Sequence, residues 1–153
     1  MMSEGNGTSE NPYPMTIHKY ISHKFYGFAI DPHGTQVFFH LSDFDTAGEN
    51  VSPIAGEDVH VIVDLKSMNP AQTKAIKADK VIRVREPRQV VGKIDVYYDT
   101  RDYGFILGED GVSYHVHKHE MLDNKYPLVG SQVRFYAGIR QERPRACYVE
   151  ILE

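Results

Sequence analysis

The chain repeats itself, and that repeat limits what it can fold into more than any other feature. Lys24-Phe25-Tyr26-Gly27-Phe28-Ala29-Ile30 returns as Arg101-Asp102-Tyr103-Gly104-Phe105-Ile106-Leu107, with Gly27 and Gly104 lying 77 positions apart. Val37-Phe38-Phe39-His40 matches Tyr114-His115-Val116-His117 at the same offset. Gly56-Glu57-Asp58-Val59 matches Gly130-Ser131-Gln132-Val133 at 74, so a loop of the second copy is shorter by three. Lys77-Ala78-Asp79-Lys80-Val81 matches Arg145-Ala146-Cys147-Tyr148-Val149 at 68. Four blocks in one order make a duplicated unit, each copy roughly the size of a small domain of 65–75 residues.

Each copy reads as β. Apolar and polar residues alternate in short runs such as Val59-His60-Val61-Ile62-Val63 and Val133-Arg134-Phe135-Tyr136. Turn signals part them: Asp31-Pro32-His33-Gly34, Gly108-Glu109-Asp110-Gly111 and Tyr126-Pro127. No helical period runs to useful length, although Ser42–Thr46 and His119–Asn124 each suit one helical turn. About five strands per copy are expected, closed into a barrel, because closure removes the exposed edges of so small a sheet. The expected organisation is an acidic, disordered tail over 1–14, a first barrel over 15–84 and a second over 89–153. The join around Glu86-Pro87-Arg88 is short, which should keep the barrels close together.

Composition narrows the class. The lone cysteine, Cys147, excludes an intramolecular disulfide and a multi-cysteine zinc site. The polar opening residues do not read as a signal peptide, and no apolar run nears the ~20 residues of a membrane helix. A cytoplasmic protein with no membrane partner is expected. The net charge of −4 is unevenly laid out. Seven acids lie from Asp31 to Asp64, and seven bases from Lys74 to Lys93 (Lys74, Lys77, Lys80, Arg83, Arg85, Arg88 and Lys93). Arg140, Arg143 and Arg145 form a smaller basic group.

Residues two apart on a strand share a face. Tyr26 and Phe28 therefore lie on one side with Phe38 and His40, while Gly27, Ala29, Val37 and Phe39 face the other. The second copy sets out Tyr103, Phe105, His115 and His117 and turns Tyr114 and Val116 inward. One side is fit to be core, and the other leaves rings in water. His115, His117 and His119 have the spacing of a possible metal triad, but the repeat ends the strand near His117 and sends His119 into a turn. No metal or other cofactor is expected. No phosphate-cradling glycine loop, nucleophile elbow or supported Cys-His pair is present, so no enzyme is expected.

These strands resemble the two ribonucleoprotein motifs of cold-shock domains, a Lys-Gly-aromatic-Gly-Phe-Ile run followed by Val-Phe-Val-His. Arg143-Pro144-Arg145-Ala146-Cys147-Tyr148-Val149 is similar to that family's closing strand. The resemblance implies two tandem OB-fold barrels that bind single-stranded RNA, with ssDNA also possible, in the manner of an RNA chaperone or mRNA-binding factor. It implies stacking platforms at Tyr26, Phe28, Phe38 and His40 and at Tyr103, Phe105, His115 and His117. Lys24, Arg101 and Lys118 would meet phosphates. The family's Trp-Phe pair is replaced by Lys19-Tyr20 and Val96-Tyr97, of which Lys19, Tyr20 and Tyr97 join the expected binding residues. Its glycine before the first aromatic has become Phe25 and Asp102, and its aromatic after the motif histidine Leu41 and Lys118. The imidazoles should make the second platform pH-sensitive near neutrality. A second possibility is a protein-interaction module, whose acidic span from Asp31 to Asp64 would suit a basic protein partner.

Overall fold

The computed structural model describes residues 12–68 and 75–152. The chain divides into two compact units, one up to Glu86 and one from Pro87.

In the first unit the strands are β1 (Tyr13–Ile21), β2 (Tyr26–Ile30), β3 (Gln36–His40), β4 (Phe44–Asp45), β5 (Asp58–Val63) and β6 (Ile76–Arg83). β2, β1, β5 and β6 follow β3 across an antiparallel sheet, and a parallel pairing of β3 with β6 closes the ring. The two-residue β4, an addition to the five strands expected, lies parallel to β6 through Phe44 and Val81. The core is the inward set that alternation predicts: Ile17, Ala29, Val37, Phe39, Val59, Val61 and Val81 are buried. Truncating a fully buried ring such as Phe39 costs about 3–5 kcal/mol.

The second unit repeats the plan with β7 (Gln89–Tyr98), β8 (Tyr103–Gly108), β9 (Ser113–His117), β10 (Gln132–Arg140) and β11 (Arg143–Ile151). These form a closed barrel in which β9 and β11 run parallel with Arg145 beside His115. A lone parallel bridge from Met121 to Val149 stands where β4 meets β6 in the first unit. Ile94, Ile106, Val116, Val133, Phe135 and Val149 are its buried centre. Both units are OB-type barrels.

A register shift interrupts the first strand of each barrel, between Ile17 and Lys19 and between Ile94 and Val96. The glycine of each Tyr-Gly-Phe run lies against that irregular segment. A Cβ on Gly27 would collide with the Lys19 carbonyl, and one on Gly104 with the Val96 carbonyl. Strand one can cross strand two this closely only over glycine.

Two residues expected in the tail belong to the first barrel. β1 already contains Tyr13 and Pro14. Tyr13 is buried, and its hydroxyl donates to the Asp31 carboxylate at 3.2 Å, so the barrel claims it. Residues 1–11 of that tail lie outside the described residues. Of the two helical turns expected, Ser42–Thr46 is a 3-10 turn only at Leu41–Asp43 before β4 begins at Phe44, and His119–Asn124 is covered by two 3-10 turns, Lys118–Glu120 and Leu122–Asn124.

Candidate nucleic-acid interface

Pairing of β2 with β3 sets Tyr26 opposite His40 and Phe28 opposite Phe38. The three aromatic rings cluster on the outer face, with centroids 5.4 Å apart for Tyr26–Phe38, 5.8 Å for Phe28–Phe38 and 6.1 Å for Tyr26–Phe28. All three are half-buried. Lys19 pairs with Phe28 across the sheet and holds its ammonium 5.5 Å from that ring's centroid. Lys77 reaches the same face beside Phe38 through the parallel β3–β6 pairing.

The motif histidines have structural work as well. His40 Nδ1 accepts from the Ser42 amide at 3.1 Å and His117 Nδ1 from the His119 amide at 3.1 Å, each capping a 3-10 turn. Lys24 is exposed on the turn Ser22–Lys24, Arg101 is exposed in the equivalent turn of the second unit, and Lys118 is exposed in the turn after β9.

In the second unit Tyr103 and His115 stack at 5.1 Å with 21° between planes, and Phe105 meets His115 edge-on at 5.6 Å. Tyr98 adds a ring 5.3 Å from Tyr103. Sequence reasoning missed Tyr98. Its signal is that Tyr98 and Tyr103 flank the turn between β7 and β8, and residues flanking a hairpin turn face each other.

Tyr20 and Tyr97 do not belong to these faces. The shifted register sets Tyr20 opposite Gly27 and Tyr97 opposite Gly104, on the core side. Tyr20 stacks on buried Phe39 at 6.3 Å and 12°, and Tyr97 packs against its barrel's core with Tyr126 at 5.9 Å.

The basic residues also sort differently from their order in the chain. Arg83 is buried against Glu57 at 2.7 Å, Arg85 pairs with Asp58 at 3.0 Å and Lys80 with Asp45 at 3.7 Å. Arg88 binds Asp110 at 2.7 Å. Four bases of the segment from Lys74 to Lys93 thus pair with carboxylates, three of them with acids of the span from Asp31 to Asp64. Asp31 itself is buried. Lys74 lies outside the described residues.

The smaller group is the open one. The β9–β11 pairing brings Arg145 to His115, and a groove of about 470 Å³ lies between Phe105, Ser113 and His115 on one side and Arg140, Arg143 and Arg145 on the other. Arg145 meets Glu120 at 3.4 Å, whereas Arg140 and Arg143 have no ion pair among the described residues. Burial, then the charges of Arg145, His117, Arg140 and Arg143, hold the His115 imidazole below its ordinary pKa. Burial, His119 and Arg145 lower His117 too, against the opposing pull of Asp102 and Glu120. The positive charge of this face at neutral pH therefore belongs to arginine, and His115 serves it as a neutral ring. The rings of His117 and His119 lie 4.6 Å apart, while His115 is engaged with Tyr103. Among the described residues no three His, Cys, Asp or Glu side chains gather in a group fit to hold a metal ion.

No family model matches the chain, and no curated protein matches it. Among solved structures it is similar to Drosophila Unr CSD456, at 15% identity and a TM-score of 0.41, with 94% of this chain and 62% of that chain covered. The chain thus spans less than two thirds of that structure's length.

Proposed function

We propose that the chain binds single-stranded nucleic acid, RNA foremost and ssDNA by the same chemistry, by stacking bases on the outer faces of both barrels. The observation that carries this reading is the cluster of Tyr26, Phe28 and Phe38, whose rings stand together outside a barrel already filled by Phe39 and its neighbours. A base stacks on such a ring whatever its identity, for about 1–3 kcal/mol each. Lys19, Lys24 and Lys77 in the first barrel, and Arg101, Lys118 and the arginine-lined groove in the second, would meet phosphates. Two sites on one chain act at high effective concentration on one strand. The role in keeping with this is that of a cytoplasmic, non-enzymatic mRNA-binding factor or RNA chaperone.

Fluorescence anisotropy with labelled ssRNA, ssDNA and duplex of equal length tests the reading, and the single strands should bind in preference to the duplex. A Phe28→Ala, Phe38→Ala variant should lose more than about tenfold in single-strand affinity while keeping its β circular dichroism. Undiminished binding by the folded variant would remove the rings as the site.

A further inference from the structure

Phe25 carries two features that packing does not explain. Its backbone is left-handed, with φ 58°, and it is 54% exposed. Left-handed backbone suits Gly, Asn and Asp, and a bulky side chain there is strained. The conformation belongs to the turn: the Phe25 carbonyl accepts the Leu41 amide at 2.8 Å, tying the start of β2 to the chain as it leaves β3. The second barrel has the same device, with Asp102 at φ 58° and its carbonyl accepting the Lys118 amide at 2.9 Å. Aspartate tolerates that backbone. Phenylalanine is disfavoured by it, and gains little from burial in return.

Its place says what the ring would serve. Phe25 adjoins Tyr26, and the Tyr26–His40 pair is the last of the β2–β3 ladder. Lys24 precedes it and is exposed. A strand stacked along Phe38, Phe28 and Tyr26 would leave the cluster at this end. Resting on the single-strand reading above, we propose that Phe25 is a further stacking ring of the first site, taking an unpaired base beyond Tyr26. Asp102 sets a carboxylate at the same position of the second site, which therefore lacks this base position.

The test uses the full chain and two labelled oligomers of equal length, an oligouridylate and its abasic counterpart. Phe25→Gly should raise the melting temperature, because glycine relieves the left-handed strain. It should lower oligouridylate affinity about fivefold or more and leave abasic affinity unchanged. Phe25→Asn, which tolerates the same backbone, should show the same loss, and Phe25→Tyr should bind as the wild type does. The proposal is overturned if Phe25→Gly and Phe25→Asn bind oligouridylate normally, or if their abasic affinity falls equally. It is also overturned if both melt below the wild type, which would make the ring a packing residue. Loss in the Phe28→Ala, Phe38→Ala variant without loss at Phe25 sinks this inference alone. Loss in neither sinks the single-strand reading with it.

Discussion

At the scale of single residues, His115 and His117 are set by their surroundings more than by their own chemistry. The unfolded chain returns both imidazoles to an ordinary pKa near 6.5, whereas the folded barrel holds both below it. Between those values the unfolded state binds more protons. The second barrel should therefore lose stability as pH falls from about 6.5 through the lowered values, with no such term at higher pH. Melting from about pH 7.5 to about 5.5 should decline less for a His115→Gln, His117→Gln variant than for the wild type. Parallel declines would mean that the imidazoles are not held down. The pH-sensitive binding expected near neutrality rests on the ordinary pKa of an imidazole, whereas the burial and the arginines that lower His115 come with a parallel pairing no local pattern reveals. Period two placed Phe28, Phe38, Tyr103 and Phe105 outward, as the barrels have them. Tyr20 and Tyr97 were expected from the resemblance to the Trp-Phe pair, and Tyr98 was missed. The irregularities after Ile17 and Ile94, which no residue type marks, set Tyr20 and Tyr97 opposite Gly27 and Gly104 and leave Tyr98 beside Tyr103.

At the scale of elements, the first barrel holds a device its copy lacks. Arg83 donates to both carboxylate oxygens of Glu57, at 2.7 and 2.9 Å, and to the carbonyls of Glu49, Val51 and Ser52. Its guanidinium lies 5.1 Å from the Phe44 ring centroid. The repeat offsets put Ile151 and Ser131 where Arg83 and Glu57 stand, and the second copy has the shorter loop. The clamp therefore belongs with the longer loop: one buried cation donates to three of its backbone carbonyls. Removing one partner of a buried pair strands the other, at about 3–5 kcal/mol. Arg83→Met should destabilise the first barrel by that order in urea unfolding, and Arg83→Met with Glu57→Leu should recover part of it. A single-variant loss below about 1 kcal/mol would show the pair to be solvated. The strands and turns of each barrel were legible because alternation and turn residues are local. The meaning of the uneven charge was not, since Arg83 and Glu57 are 26 residues apart and meet only when β5 and β6 pair.

At the scale of the whole molecule, duplication has kept two barrels and separated their surfaces. The first sets out aromatic rings, and many of its acids and bases neutralise one another, as in Lys80–Asp45, Arg83–Glu57 and Arg85–Asp58. The second interleaves its rings with imidazole and opens them to arginines, of which Arg140 and Arg143 have no ion pair among the described residues. Stacking releases few counterions, whereas each phosphate neutralised on a single strand adds about 0.7 to the slope of log affinity against log salt. If both barrels engage one strand, the two contributions should separate by mutation in the intact chain. Arg140→Gln with Arg143→Gln should flatten the salt slope by up to about 0.7 per arginine, with the loss of affinity shrinking as salt rises. Phe28→Ala with Phe38→Ala should lower affinity at every salt concentration and leave the slope nearly unchanged. Anisotropy titrations across a salt series read both. An arginine variant with the wild-type slope would place the phosphates elsewhere, and a ring variant that flattens the slope would show that the first barrel, too, holds its strand mainly by charge.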